Sequence, residues 1–308
     1  MGKIMVTGAA GFIGRHCVAA ALARGHSVVA VVRREATFPA GVEVVVADLN
    51  DVQELPAVDA VIHAAASLAG DGAEMARDTI AATKGLIGAL QGRVRFVLVS
   101  SIAVYDTLSL AVGDVLDETI AVEAKPEKRD GYCRAKLAQE ALVMASGQDG
   151  FLIRVGAVYG KGRLWNGHLG LAIGPMLLGI GKHGEVPLCY VENCAEALVM
   201  ATETPVNGVG YLNLVDDDLP DRGAYVQALQ SGGWPRFVLP FSWRILQGVA
   251  ALFGWLPGMP GLLRPAILHA RMKPLRYANV RLKRRFGWQS NVSFAEAMER
   301  SVNRGPHG

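Results

Sequence analysis

Two patterns of apolar and polar positions alternate through the first half of the chain. Short runs that are apolar throughout and rich in β-branched residues read as strands at Lys3–Thr7, Ser27–Val32, Glu43–Ala47, Asp59–His63, Val94–Ser100 and from Phe151 to Arg154. Segments with helical spacing lie between them at Phe12–Arg24, Ala73–Leu90 and Gly131–Ser146, the first stopped by Gly25. Strands that stay apolar without alternating are covered on both faces, which predicts a parallel sheet flanked by helices, a doubly wound α/β fold. No repeat of fixed period interrupts this pattern.

After Gly160 the texture changes. Asn193–Thr202 reads as a helix and Gly210–Leu214 as a strand returning to the sheet. From Asp221 onward Trp234, Trp243 and Trp255 stand among prolines 235, 240, 257 and 260, the texture of a small C-terminal lobe. Ligands of open α/β sheets sit beyond the carboxyl ends of the strands, so a lobe added there would close a substrate pocket. The stretches Leu169–Ile180 and Gly248–Leu263 are strongly apolar, yet both hold Pro and Gly and fall short of the ~20 residues of a spanning helix. They read as buried or lid segments, with a membrane-surface role for the second as the minor alternative.

Composition narrows the class. Hydrophobic residues are 51% and charged residues 19% of the 308, which excludes intrinsic disorder. The net charge of +3 is too small to argue for nucleic acid. Cys17, Cys133, Cys189 and Cys194 form no C-x-x-C pair and read as reduced, buried thiols. The opening MGKIMVTGAAGFIG is broken by glycines too early for a signal peptide. A cytoplasmic protein is expected.

Chemistry begins at Thr7–Gly14, TGAAGFIG, directly after the first strand. Gly8 permits a sharp turn, Gly11 lets backbone approach a pyrophosphate, and Gly14 lets the helix pack close to the sheet. The helix start then offers free N–H groups and a positive dipole end. The fold class is therefore α/β, a Rossmann-like doubly wound parallel sheet with a small C-terminal substrate lobe. Residues 1–160, joined by 190–220, form the dinucleotide domain; 161–189 and 221–308 form the lobe. Gly8, Gly11, Phe12, Ile13 and Gly14 are the candidate phosphate contacts. The second strand ends in Val32-Arg33-Arg34 with no acid for a ribose 2′-hydroxyl, and two guanidiniums suit a 2′-phosphate. NADP is favoured over NAD.

Tyr132 and Lys136 stand four apart on a predicted helix and share a face. A free phenol of pKa about 10 is a poor base, and a neighbouring ammonium favours its ionised form, the tuning a general acid/base needs. Together with the glycine spacing G-x-x-G-x-x-G, this resembles the short-chain dehydrogenase/reductase superfamily. TGAAGFIG resembles its extended branch of NAD(P)-dependent epimerases, dehydratases and 3β-hydroxysteroid-dehydrogenase-like enzymes. The resemblance implies a catalytic Ser101, four residues before Tyr105, that orients the substrate oxygen. It also implies Tyr132 as acid/base and Lys136 as the residue that tunes it and holds the ribose. It places Asp48 and Leu49 at the adenine, Ala64, Ala65 and Ala66 close to the cofactor, and Ser100, Tyr132, Lys136 and Val155 along it. His63 is given no chemistry. Residues 153–160, 190–197 and 277–288 resemble further family segments, so the likeness covers nearly the whole chain.

Two departures matter. Ile102 and Ala103 stand where the sugar 4,6-dehydratases carry Asp and Glu, so elimination by that route is not expected. Thr79 replaces an Asn, which puts an Asn-based proton relay in doubt. The favoured reading is an oxidoreductase passing hydride between nicotinamide and an alcohol or ketone of apolar character, with Trp243, Leu252, Phe253 and Trp255 lining a pocket or simply forming the lobe's core. The alternative is a nucleotide-sugar epimerase with tightly held NAD, for which Arg163, Arg222 and Arg264 could bind a diphosphate. A third is a non-catalytic dinucleotide sensor. A small-molecule substrate, no nucleic acid, no metal, no transmembrane segment and, from the resemblance, a homodimer through Ala73–Leu90 and Gly131–Ser146 complete the expectations.

Overall fold

The computed structural model describes residues 1–66, 72–254 and 261–302. In chain order its elements begin β1 (Lys3–Thr7), α1 (Phe12–Ala23), β2 (Ser27–Val32), β3 (Glu43–Val46), β4 (Ala60–His63), α2 (Gly72–Ala89) and β5 (Arg95–Ser101). They continue β6 (Val115–Leu116), α3 (Gly131–Ala145), β7 (Asp149–Val155), β8 (Ala157–Tyr159), β9 (Gly170–Ile173), β10 (Met176–Ile180), β11 (Leu188–Tyr190), α4 (Val191–Glu203) and β12 (Val209–Leu214). The last are α5 (Arg222–Ser231), β13 (Phe237–Phe241), α6 (Trp243–Phe253), α7 (Pro265–Met272), β14 (Arg276–Tyr277), α8 (Val280–Phe286) and α9 (Phe294–Val302).

Seven strands form one parallel sheet in the order β12-β7-β5-β4-β1-β2-β3. The direction of winding reverses between β1 and β4, where such sheets open a crevice for ligands. Side-chain alternation sorts the strand residues into two cores. Ile4, Val6, Val28 and Ala30 pack with Cys17 and Val18 of α1 and Cys194 and Leu198 of α4. Met5, Val29 and Val31 face the other way, onto Leu86 of α2 and Val143 of α3. Both faces being covered is why these strands are apolar at every position. All four cysteines are free and buried.

The remaining strands lie outside this sheet. β9 and β10 form an antiparallel hairpin, and β13 joins β10 in parallel to make a three-stranded sheet. The apolar stretch 169–180 is thus a hairpin, buried at Leu169, Leu177 and Ile180 but exposed at Leu171 and Ile173. Of Gly248–Leu263, residues 255–260, including Trp255, lie outside the described residues. No described helix is long and apolar enough to cross a membrane.

Candidate active site

The glycine loop fills the crevice between β1 and β4. Gly8 has φ +66°, and a Cβ there would lie 2.9 Å from the backbone of Ala65. A Cβ on Gly14 would lie 2.2 Å from the Gly8 carbonyl oxygen. Only glycine fits either position. The residues after β4 are drawn in from the other side: Ala64 N–H donates to the Thr7 carbonyl (3.3 Å) and Ala65 N–H to Thr7 Oγ1 (3.4 Å). α1 then starts at Gly11 with no side-chain cap and no acid in its first turn. The N–H groups at Phe12, Ile13 and Gly14 therefore begin a helix whose positive end is left for an anion from outside. This cradle fits a dinucleotide pyrophosphate. Arg163 lies over the Phe12 ring at 5.2 Å from its centroid, above the same loop.

Arg33 and Arg34 follow β2 on the surface and form no ion pair among the described residues. Asp48 is exposed just beyond β3, with Oδ1 accepting from Asn50 N–H, while Leu49 beside it is buried. Ala64, Ala65 and Ala66 are half-buried along the crevice.

Ser100 and Ser101 end β5 and part company there, as consecutive strand residues do. Ser100 Oγ donates to Glu140 Oε1 at 2.5 Å, and that carboxylate is also clamped by the Arg154 guanidinium at 3.0 and 2.8 Å. The Ser100 side chain is thus engaged in a buried structural pair. Ser101 lines the cavity instead, with Oγ accepting from Ala103 N–H at 3.2 Å. Val155 pairs with Ser101 in the sheet and is buried, and Gly156 and Ala157 continue from it into the cavity wall.

Tyr132 and Lys136 occupy the first turns of α3. Asp130 caps that helix, accepting from Cys133 N–H at 2.9 Å. Lys136 is buried; its Nζ donates to the Val99 carbonyl (2.8 Å) and to Gln139 Oε1 (3.0 Å) and lies 6.0 Å from the Tyr132 ring centroid. Burial lowers the Lys136 ammonium to about 8, with Glu140 pulling the other way. The Tyr132 phenol is pushed above its ordinary value by burial, against the lowering effect of the Ser101 hydroxyl, and Asp130 adds to the rise. In the protein alone burial thus outweighs the lowering influence of Ser101 on the Tyr132 phenol.

Ser101 and Tyr132 share a cavity of about 310 Å³. Apolar Ile102, Ala103, Leu116, Trp165, Ile267 and Ala270 line it alongside polar groups that sequence reasoning missed: Arg129, Asp130, His168, Arg271 and Tyr277. Arg129 is buried and donates to the Tyr105 (3.0 Å) and Ala103 (2.8 Å) carbonyls, tying the segment after Ser101 to the segment before Tyr132. Arg271 donates to Asp130 Oδ2 at 2.9 Å. Asp130 had a readable signal, an acid just before a helix; the others meet only through the tertiary fold. Arg222 differs from expectation. It is fully buried, spending its guanidinium on the carbonyls of His168 (2.9 Å), His183 (2.5 Å) and Arg271 (3.2 Å), so it cannot reach a diphosphate. Trp243 is buried between α6 and α7, whereas Leu252 and Phe253 are exposed. His63 is a core residue held between Thr7 and Thr83, lowered to about 3 chiefly by burial.

The model of the NAD dependent epimerase/dehydratase family matches residues 4–214. A ceramide reductase of Caulobacter vibrioides is 29% identical over 293 residues, covering 87% of this chain and 76% of the relative. A 3 beta-hydroxysteroid dehydrogenase/Delta 5-->4-isomerase of Mycobacterium tuberculosis is 28% identical over 233 residues, 65% of this chain and 60% of that protein. Among solved structures, a Thermus thermophilus UDP-glucose 4-epimerase in complex with NAD superposes with TM-score 0.66 at 20% identity, covering 97% of both chains.

Proposed function

The chain belongs to the NAD dependent epimerase/dehydratase family, and within it we propose an NADP-dependent oxidoreductase that interconverts an apolar ketone and its alcohol. The observation that carries this reading is the cavity itself. The Ser101 hydroxyl and the Tyr132 phenol, raised by burial, meet there against Ile102, Ala103 and Ile267, and the one acid among the described lining residues, Asp130, is ion-paired. A bound nicotinamide supplies or accepts the hydride. Tyr132 holds the proton that a reduced carbonyl oxygen must receive, and takes it back in oxidation. Ser101 orients that oxygen. An ammonium has three donors, and Lys136 gives two to Val99 and Gln139, leaving the third for a ribose hydroxyl.

Other observations support the finer points. Arg33 and Arg34 at the end of β2 favour a 2′-phosphate, hence NADP over NAD. The guanidiniums in the cavity wall are already partnered, Arg271 by Asp130 and Arg129 by two carbonyls, which weighs against a nucleotide diphosphate there. Two relatives bear the names of enzymes acting on a ceramide and a steroid, in keeping with an apolar substrate. In this reading residues 1–160 with 190–220 bind the dinucleotide, and 161–189 with 221–308 enclose the substrate. The enzyme is a cytoplasmic homodimer through α2 and α3, the latter exposing Met144 and Ala141.

The test is turnover of a panel of long-chain and alicyclic ketones with NADPH and with NADH. NADPH-dependent reduction is expected. Tyr132→Phe should lower kcat by about 10²-fold or more while calorimetry shows NADPH binding unchanged. Arg33→Ala should raise the KM for NADPH and leave that for NADH alone. Undiminished turnover by Tyr132→Phe would overturn the assignment. Copurified NAD with interconversion of nucleotide sugars would replace this reading by the epimerase.

A further inference from the structure

The three-stranded sheet has an outer face that is largely exposed among the described residues, covered at the Ile180 end where Trp243 packs on it. Cross-strand partners point to the same side of a sheet. The register therefore gathers Ile173, Met176 and Phe237 in one row and Leu171, Leu178 and Leu239 in the next, with Phe241 beside Ile180. Every member is apolar. Leu171 is 44% exposed, Ile173 55%, Phe237 64% and Leu239 50%. The opposite face holds the fully buried Leu177 in its own core cluster, so the sheet is apolar on both sides, and a water-facing sheet alternates instead. α6 follows directly and extends the surface: Trp243 and Ala250 turn inward onto Ile180, Leu268 and Met272, while Ile245 and Phe253 turn outward at 59% and 48% exposure. Contiguous exposed apolar area of this kind marks an interaction site.

Charge selects the occupant. The sequence has no Asp or Glu from Arg222 to Ala295, nor from Phe151 to Gly184. Lys182, Arg236, Arg244 and Arg264 are exposed around the apolar face and form no ion pair among the described residues. A second copy of the chain would bring the same positive rim against it. An anionic lipid headgroup layer complements it, and acyl chains complement the apolar rows.

We propose that the β9-β10-β13 face and the outer side of α6 seat the protein on an anionic lipid surface, without crossing it. The surface adjoins the cavity through two connections. Residues 165–168 line the cavity and lead into β9, and α7 lines it with Ile267, Ala270 and Arg271 while its Leu268 and Met272 pack under α6. The docking stands apart from the reaction assigned above, since it needs no substrate.

The full chain would be sedimented with vesicles of phosphatidylcholine alone and of phosphatidylcholine mixed with phosphatidylglycerol. Binding to the mixed vesicles is expected, weaker with phosphatidylcholine alone and weakened by salt. Phe237→Ser with Leu239→Ser should lower the partition coefficient roughly tenfold or more, and Arg236→Glu with Arg244→Glu should abolish the preference for anionic vesicles. Both variants should keep the circular dichroism and NADPH binding of the parent. Protein that stays in the supernatant with both vesicles would overturn the proposal, as would binding that both variants retain in full. So would a parent dimer, indifferent to vesicles, that Phe237→Ser with Leu239→Ser turns into a monomer, since a second copy would then cover the face.

Discussion

Lys136 ends a buried row of polar groups that runs back into the sheet. Gln139 Oε1 accepts from Lys136, and Gln139 Nε2 donates to Thr83 Oγ1 at 2.7 Å. Thr83 Oγ1 donates to the Thr79 carbonyl, and His63 connects Thr83 (2.9 Å) to Thr7 (2.7 Å). With the Thr83 proton committed to Thr79, the pattern assigns the His63 proton to Nε2 and leaves Nδ1 to accept from Thr7. Each group depends on its neighbour in a low-dielectric setting, so the row fixes the Lys136 head. Gln139→Leu should therefore cost about 1–3 kcal/mol of stability in denaturant unfolding. It should also move the alkaline limb of the kcat/KM profile to lower pH, because the ammonium loses an acceptor. Gln139→Glu should move that limb up. A stability loss with an unchanged profile would make Gln139 structural only.

At the level of elements, the junction of β1, the glycine loop and α1 leaves no room for a side chain at Gly8 or Gly14. Gly14→Ala would drive a methyl into the Gly8 carbonyl, so the helix must shift away from the sheet and the row of N–H groups with it. A lower Tm and a fall of roughly tenfold or more in NADPH affinity by calorimetry are expected. This junction was readable because each piece is local: an apolar run, three glycines, then helical spacing. So were β1 and β2, to the residue, since their apolar runs are bounded by polar or glycine neighbours. The three-stranded sheet was not. Its strands are 61 residues apart in sequence at the β10–β13 pairing of Ile180 with Phe241, and no local pattern says that they will meet. Arg222 was misplaced for a related reason. An arginine at a helix start reads as surface, and only the assembled carbonyls of His168, His183 and Arg271 make burial tolerable. The catalytic candidates were legible through resemblance and helical spacing, but the electrostatics of Tyr132 depend on its burial, which no spacing encodes.

For the whole molecule, acid should destabilise. His63 and His168 are lowered to about 3 and His269 to about 4, each mainly by burial, from an ordinary 6.5. Between those values the unfolded chain binds their protons and the folded one does not, so stability falls as pH drops below 6.5. Asp216, raised by burial to about 7 from 3.8, works the opposite way: folded, it keeps a proton that the unfolded chain releases. The histidines outnumber it, so unfolding near pH 5 should take up about two protons net, measured as the pH slope of unfolding free energy in urea. A flat or inverted slope would show that these histidines are charged in the fold.

The acid-free stretch from Arg222 to Ala295 carries eleven Lys and Arg, which leaves the rest of the chain with eight more acids than bases although the total is only +3. Three of the eleven are held by acids from elsewhere in the chain, Arg271 by Asp130, Arg281 by Glu118 and Lys283 by Asp217, whereas Arg236, Arg244 and Arg264 beside the apolar face are exposed. An anionic bilayer would attract that rim before the apolar rows touch it. Added salt should then slow arrival at the surface, while the residence time, set by the buried apolar rows, stays much the same.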